Sequence, residues 1–113
     1  MTRPRALVSA AACSLMLLLA TPGSASANAG DFFYTYTDAD GKEQRQKEQD
    51  PPSRECLNIP EATEAHPAHS PHNGTDEDAI VYEKVDCEGA KFVVAKDTGE
   101  AGPDVKFRSV LFQ

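Results

Sequence analysis

Cys56 and Cys87 constrain this chain more than any other residues, because the segment that carries them is too short to be held by core burial alone. The N-terminus decides which cysteines matter. Residues 1–27 have the three parts of a secretory signal: Arg3 and Arg5 at the start, an apolar run over Ala6–Ala20, and a helix break at Thr21-Pro22-Gly23. Ala25-Ser26-Ala27 then fits a small-residue cleavage site, and Ala27-Asn28-Ala29 fits nearly as well. The apolar run of about 15 residues is short for a membrane span of about 20. Cleavage after Ala27 or Ala29 and secretion to the extracellular medium are therefore expected. Cys13 leaves with the signal, so two of the three cysteines remain in an exported segment of 84 residues from Gly30. Two cysteines in an exported chain are expected to pair. The bridge would close a loop of about 30 residues, worth on the order of 3–4 kcal/mol. A zinc site on these cysteines is disfavoured, since no second CxxC and no His at zinc spacing completes four ligands.

Removing the signal also sharpens the charge. All 18 acidic residues lie beyond residue 30, with nine of the 11 basic ones, so a net charge of −7 becomes −9. Such a surface repels nucleic acid and anionic membranes, and favours a soluble monomer. It names no ligand.

The remaining pattern is β throughout. Phe32–Thr37 is a run of aromatic and β-branched residues with Phe32, Tyr34 and Tyr36 on one face. Asp38-Ala39-Asp40-Gly41 is a turn, and the wholly polar Lys42–Gln49 reads as a solvated returning strand or an extended loop. Cys56, Leu57 and Ile59 form a short strand that Pro60 ends. Residues 60–78 hold Pro60, Pro67, Pro71, Gly74 and all three His with almost no apolar content, the composition of a long flexible surface loop. Ala79–Val85 and Ala90–Ala95 read as a hairpin, Asp97–Asp104 as a Gly/Pro loop, and Lys106–Phe112 as a terminal strand. No segment beyond the signal has a helical period. The expectation is one all-β domain over 30–113, a small sandwich or barrel of about six strands.

Tyr82-Glu83-Lys84-Val85-Asp86-Cys87-Glu88-Gly89, followed about twenty residues later by Phe107-Arg108-Ser109-Val110, resembles a βγ-crystallin Greek-key motif. In that family an aromatic, a second large apolar residue and a Gly build a folded hairpin, and a Ser of the fourth strand folds back against it. Tyr82, Cys87, Gly89 and Ser109 take these places, with Cys87 where the second aromatic usually stands. The Gly is needed where a Cβ would obstruct the fold. The likeness covers Ala79–Phe112. A weaker echo at Tyr36, Gly41 and Cys56–Ile59 would make the first half a degenerate second key. The resemblance implies a small Greek-key sandwich in a chain similar to small secreted proteins of high-GC Gram-positive bacteria. Some crystallin-like proteins of that group inhibit peptidases, so an extracellular protease is the partner class it implies.

The family's calcium motif aligns with Asp104-Val105-Lys106-Phe107-Arg108-Ser109, where Asp104 and Ser109 fit but Val105 replaces an acid and Arg108 sets a cation where a ligand belongs. Asp76, Glu77 and Asp78 add hard oxygens, and Asp38 and Asp40 a second pair, although acids in loops are commonly just solvated. No cofactor is assigned, and calcium is the one these acids suggest. His66, His69 and His72 recur every third residue, one turn of polyproline II, and would share a face suited to zinc or copper. Steps of about 3.1 Å per residue set neighbouring imidazoles ~9 Å apart, too far for one ion unless the chain bends. Asn73-Gly74-Thr75 matches a glycosylation sequon and equally a turn. No G-x-S-x-G occurs, both cysteines are committed, and no acid pair stands out, so no catalytic residue is assigned and a non-enzymatic role is expected.

Overall fold

The structure is a computed structural model that describes residues 28–113. The expected signal and Cys13 lie outside the described residues. Strand β1 (Asp31–Thr37) alternates as its sequence demands: Phe32 and Tyr34 are fully buried, and Phe33 and Thr35 look out. It turns through Asp38, whose Oδ1 accepts the amides of Asp40 and Lys42 at 2.9 Å each and whose Oδ2 accepts Gln44 Nε2 at 3.0 Å. The Lys42 bond chiefly, then that of Gln44, holds the Asp38 carboxyl below the usual carboxylate range. Gly41 takes φ +82°. The polar segment is a true strand, β2 (Glu43–Gln49), in unbroken antiparallel register with β1 from Asp31 opposite Gln49 to Thr37 opposite Glu43. As an edge strand it has backbone bonds on one side and needs no apolar face.

The chain continues through β3 (Leu57–Asn58), β4 (Ala68–Asn73), β5 (Ala79–Lys84), β6 (Glu88–Val94), β7 (Gly99–Glu100), β8 (Lys106–Phe107) and β9 (Ser109–Phe112). These make two antiparallel sheets. One runs β2-β1-β4, with both β7 and β8 paired to β4; the other runs β3-β9-β5-β6. The expected β5–β6 hairpin forms, with Val81 opposite Phe92. The core between the sheets holds Phe32, Tyr34, Ile59, Ala68, Ala79, Val81, Val94, Phe107, Val110 and Phe112. The Phe32 ring meets Phe112 edge-on at 5.3 Å and Phe107 at 6.1 Å, contacts worth about 0.5–1.5 kcal/mol each beyond burial.

Three expectations are corrected. Residues 60–78 are not one flexible loop, because β4 lies inside them, between β1 on one side and β7 and β8 on the other. Its inward positions are Ala68, Pro71 and Asn73, which fill the interior without an apolar signature. The Asn73 amide donates to Glu77 O at 2.8 Å and Val94 O at 3.0 Å, and its Oδ1 accepts Thr75 N and Thr75 Oγ1 at 3.0 and 2.7 Å. This buried clasp joins the two sheets, and it takes the sequon asparagine out of reach of solvent. Second, Lys106–Phe112 is two strands in different sheets, with Arg108 at the crossing. Third, the strands number nine among the described residues, because β4 and the two-residue β7 form inside segments expected to be loops and the terminal strand divides into β8 and β9.

Candidate functional site

The most constrained local structure is the corner between β5 and β6. Asp86 and Cys87 stand at φ 61° and 57°, and Gly89 at φ +85°. Left-handed backbone at non-Gly residues costs about 1–3 kcal/mol each unless its surroundings impose it. Here three tethers do. Ser109 Oγ donates to Lys84 O at 2.5 Å and accepts Cys87 N–H at 2.9 Å. The Asn58 side chain accepts Asp86 N–H at 2.8 Å and donates to Asp86 Oδ1 at 3.1 Å. The third tether is the Cys56–Cys87 disulfide, which forms as expected. A Cβ on Gly89 would sit 3.1 Å from Lys84 Cγ in a conformation that only glycine adopts freely. Tyr82 lies opposite Ser109, and its carbonyl accepts the Arg108 amide at 2.8 Å. Of the four residues singled out by the hairpin motif, Tyr82 and Cys87 thus meet Ser109, while Gly89 packs against Glu83 and Lys84. Asn58 was missed by sequence reasoning, since nothing local marks a partner 28 residues away.

Beside this corner opens a cleft of about 520 Å³. Lys84, Val85 and Glu88 reach it from the corner, Glu83 from β5, Glu64 and Pro67 from the segment before β4, and Lys106 and Arg108 from the crossing between sheets. Three of the nine basic residues beyond residue 30 therefore converge here with three acids, a local balance unlike the −9 surface around it. Arg108 is the unusual member. Its backbone is pinned at both ends, by Tyr82 O and by the Ile59 amide, which donates to Arg108 O at 2.9 Å. Its Nε–H is buried without a hydrogen-bond partner, and no carboxylate among the described residues forms an ion pair with it. A buried donor left unsatisfied costs about 1–3 kcal/mol. The guanidinium itself borders the cleft, and its fork of N–H donors matches a carboxylate in bidentate fashion.

The metal-ligand candidates are dispersed. Asp76 accepts the Ala29 amide at 3.1 Å, Glu77 accepts the Ser53 hydroxyl at 2.5 Å, and Asp78 accepts the Lys96 amide at 3.0 Å. Each acid thus ties one loop to another part of the chain. Asp104 borders a second cleft near Phe92. His66 is exposed on the loop before β4. His69 and His72 do share the outer face of β4, though through a strand irregularity rather than polyproline II. Two residues of β1, Phe33 to Thr35, span three of β4, and Ser70 takes φ 54° at the bulge. His69 Nε2 lies 3.2 Å from Glu43 and its Nδ1 2.8 Å from Ser70 Oγ, while His72 faces Glu100 at 3.5 Å and packs on Phe33. Among the described residues no three His, Cys, Asp or Glu come together in a geometry that would hold a metal ion. The Glu43–His69–Ser70 chain was not foreseen. Its Ser and His are sequence neighbours on an open sheet face, and the bond between them braces the bulge.

No protein family, curated protein or solved structure matches the chain.

Proposed function

We propose that the chain is an exported, non-catalytic β domain that binds a partner through the cleft beside its disulfide, with Arg108 receiving a carboxylate. The observation that carries this reading is Arg108, whose backbone is pinned where the two sheets exchange strands and whose guanidinium borders the cleft with no ion pair among the described residues. The Cys56–Cys87 bridge and the signal-like N-terminus support an oxidising, extracellular setting. The corner formed by Tyr82, Cys87, Gly89 and Ser109 supports a βγ-crystallin-like scaffold. Titration of isotope-labelled protein with a short peptide bearing a free C-terminal carboxylate should shift the amides of Val85, Lys106 and Arg108 saturably. The same peptide with an amidated terminus should leave them in place. Equal shifts with both peptides, or none with either, reject the reading.

A second reading, inhibition of a secreted peptidase, draws on the segment between Ile59 and Pro67. An inhibitory loop should be stiff, to limit the entropy lost on binding. This segment is braced: Tyr34 donates to Glu61 at 2.7 Å, the His66 amide to Thr63 Oγ1 at 2.9 Å, and the Thr63 amide to His66 O at 3.0 Å. Incubation with a panel of secreted serine and metallopeptidases tests it. Loss of peptidase activity with the segment intact supports inhibition, and cleavage within 59–67 with activity retained rejects it.

A further inference from the structure

Six ionisable side chains line the cleft beside the disulfide. Glu64, Glu83 and Glu88 carry three negative charges, and Lys84, Lys106 and Arg108 three positive ones. Among the described residues none of the six forms an ion pair. Other contacts hold them apart. Glu83 follows Tyr82 on β5, whose carbonyl accepts the Arg108 amide at 2.8 Å, so Glu83 and Arg108 start from adjacent backbone. The Glu83 carboxylate nonetheless lies over Gly89, where a Cβ would meet its Oε1 at 3.2 Å. Lys106 Nζ is turned to Pro103 O, to which it donates at 3.2 Å. The corner acids Glu83 and Glu88 and the Arg108 guanidinium therefore border one space without meeting.

We propose that the cleft takes the C-terminal residue of a peptide when that residue is lysine or arginine, with the terminal carboxylate on Arg108 and the basic side chain on Glu83 and Glu88. The proposal rests on Arg108 receiving a carboxylate and adds what lies beside it. Charge balance within the cleft decides against a simple anion, since three charges of each sign match a chain end that carries both. The charge of −9 beyond residue 30 points the same way, because it repels a purely anionic peptide and attracts one with a compensating cation. Val85 and Pro67 supply apolar surface for the aliphatic stem that lysine and arginine share. The volume of about 520 Å³ falls within the ~300–1,000 Å³ of sites that enclose a small ligand, room for a chain end rather than for a folded partner.

Titration of the isotope-labelled protein with three peptides of one sequence, ending in lysine, in norleucine or in lysine amide, tests this. Norleucine keeps the stem and lacks the ammonium. Read from the amides of Val85 and Arg108, the lysine peptide should bind at least about threefold tighter than the norleucine peptide, and added salt should narrow the gap. Glu83→Gln combined with Glu88→Gln should bring the ratio of those two affinities close to one. Both positions are exposed, so the fold should survive, and a thermal melt checks that it does. Equal affinities for the lysine and norleucine peptides, with the amide peptide not binding, keep the carboxylate on Arg108 and overturn the basic residue. An amide peptide that binds as tightly as the lysine peptide, or no binding by any of the three, overturns both. A ratio unchanged in the folded double variant overturns the assignment to Glu83 and Glu88.

Discussion

Glu48 sits on the edge strand β2 opposite Phe32, its side chain half-buried toward the face that holds Tyr34. Burial there raises its carboxyl pKa above the usual value, and the neighbouring charge of Glu61 raises it further. The Tyr34 hydroxyl, raised by burial and then by its bond to Glu61, stays protonated and donates at 2.7 Å. A carboxyl raised in the folded state favours folding when neutral. Its contribution is fully present below the ordinary Glu value of about 4.3 and is lost as pH rises through the raised value. Glu48→Gln should therefore raise the melting temperature at pH 7 and have little effect at pH 4. Asp38 has the opposite sign: its carboxyl is lowered, so its contribution is present above the ordinary Asp value of about 3.9 and is lost as pH falls through the lowered one. Asp38→Ala should lower the melting temperature at pH 7 by more than at pH 3. Thermal melts at the three pH values check both signs, and a Glu48→Gln variant less stable than wild type at pH 7 would contradict the first.

At the scale of elements, what the sequence revealed depended on whether an element's partners were local. β1 and the β5–β6 hairpin were legible because their own residues alternate or are β-branched. The same held for the Asp38–Gly41 turn, which is closed by one carboxylate. β2 stayed ambiguous because an edge strand can be polar on both faces. β4 was missed because its inward positions are Ala68, Pro71 and Asn73, and what makes Asn73 a core residue is a set of carbonyls 4 and 21 residues away. In the sequence Arg108 is only an obstacle to calcium, because its missing partner is a fact about the fold. The corner was half legible: Tyr82, Gly89 and Ser109 form a pattern, and Asn58 does not. Ser109→Ala tests the corner directly, since it leaves the Lys84 carbonyl and the Cys87 amide without a partner. The expected cost is about 1–3 kcal/mol in denaturant unfolding, with faster hydrogen exchange at Cys87. A cost under about 0.5 kcal/mol would mean that Asn58 and the disulfide hold the corner without it.

At the scale of the whole molecule, the disulfide reaches beyond the corner it anchors. Between Cys56 and Cys87 the chain passes through β3 in one sheet, β4 in the other, and β5 back in the first, a loop with a sequence separation of 31. Closing it restricts the unfolded chain across both sheets at once, and a loop of this length corresponds to about 3–4 kcal/mol. Small domains have about 5–15 kcal/mol in total, so the bridge supplies roughly a fifth to four fifths of the stability. Reduction, or replacement of both cysteines by Ser, should lower the melting temperature by on the order of 15 °C. The loss should be shared by both sheets, because β4 and β5 lie inside the same closed loop. Amide exchange can separate this from a local effect: protection should fall in Phe32 and Tyr34 of β1 as well as in Val81 and Val110. Protection lost only around Val85–Gly89 would confine the bridge to its corner, and the two sheets would then be held by the aromatic core and the Asn73 clasp alone.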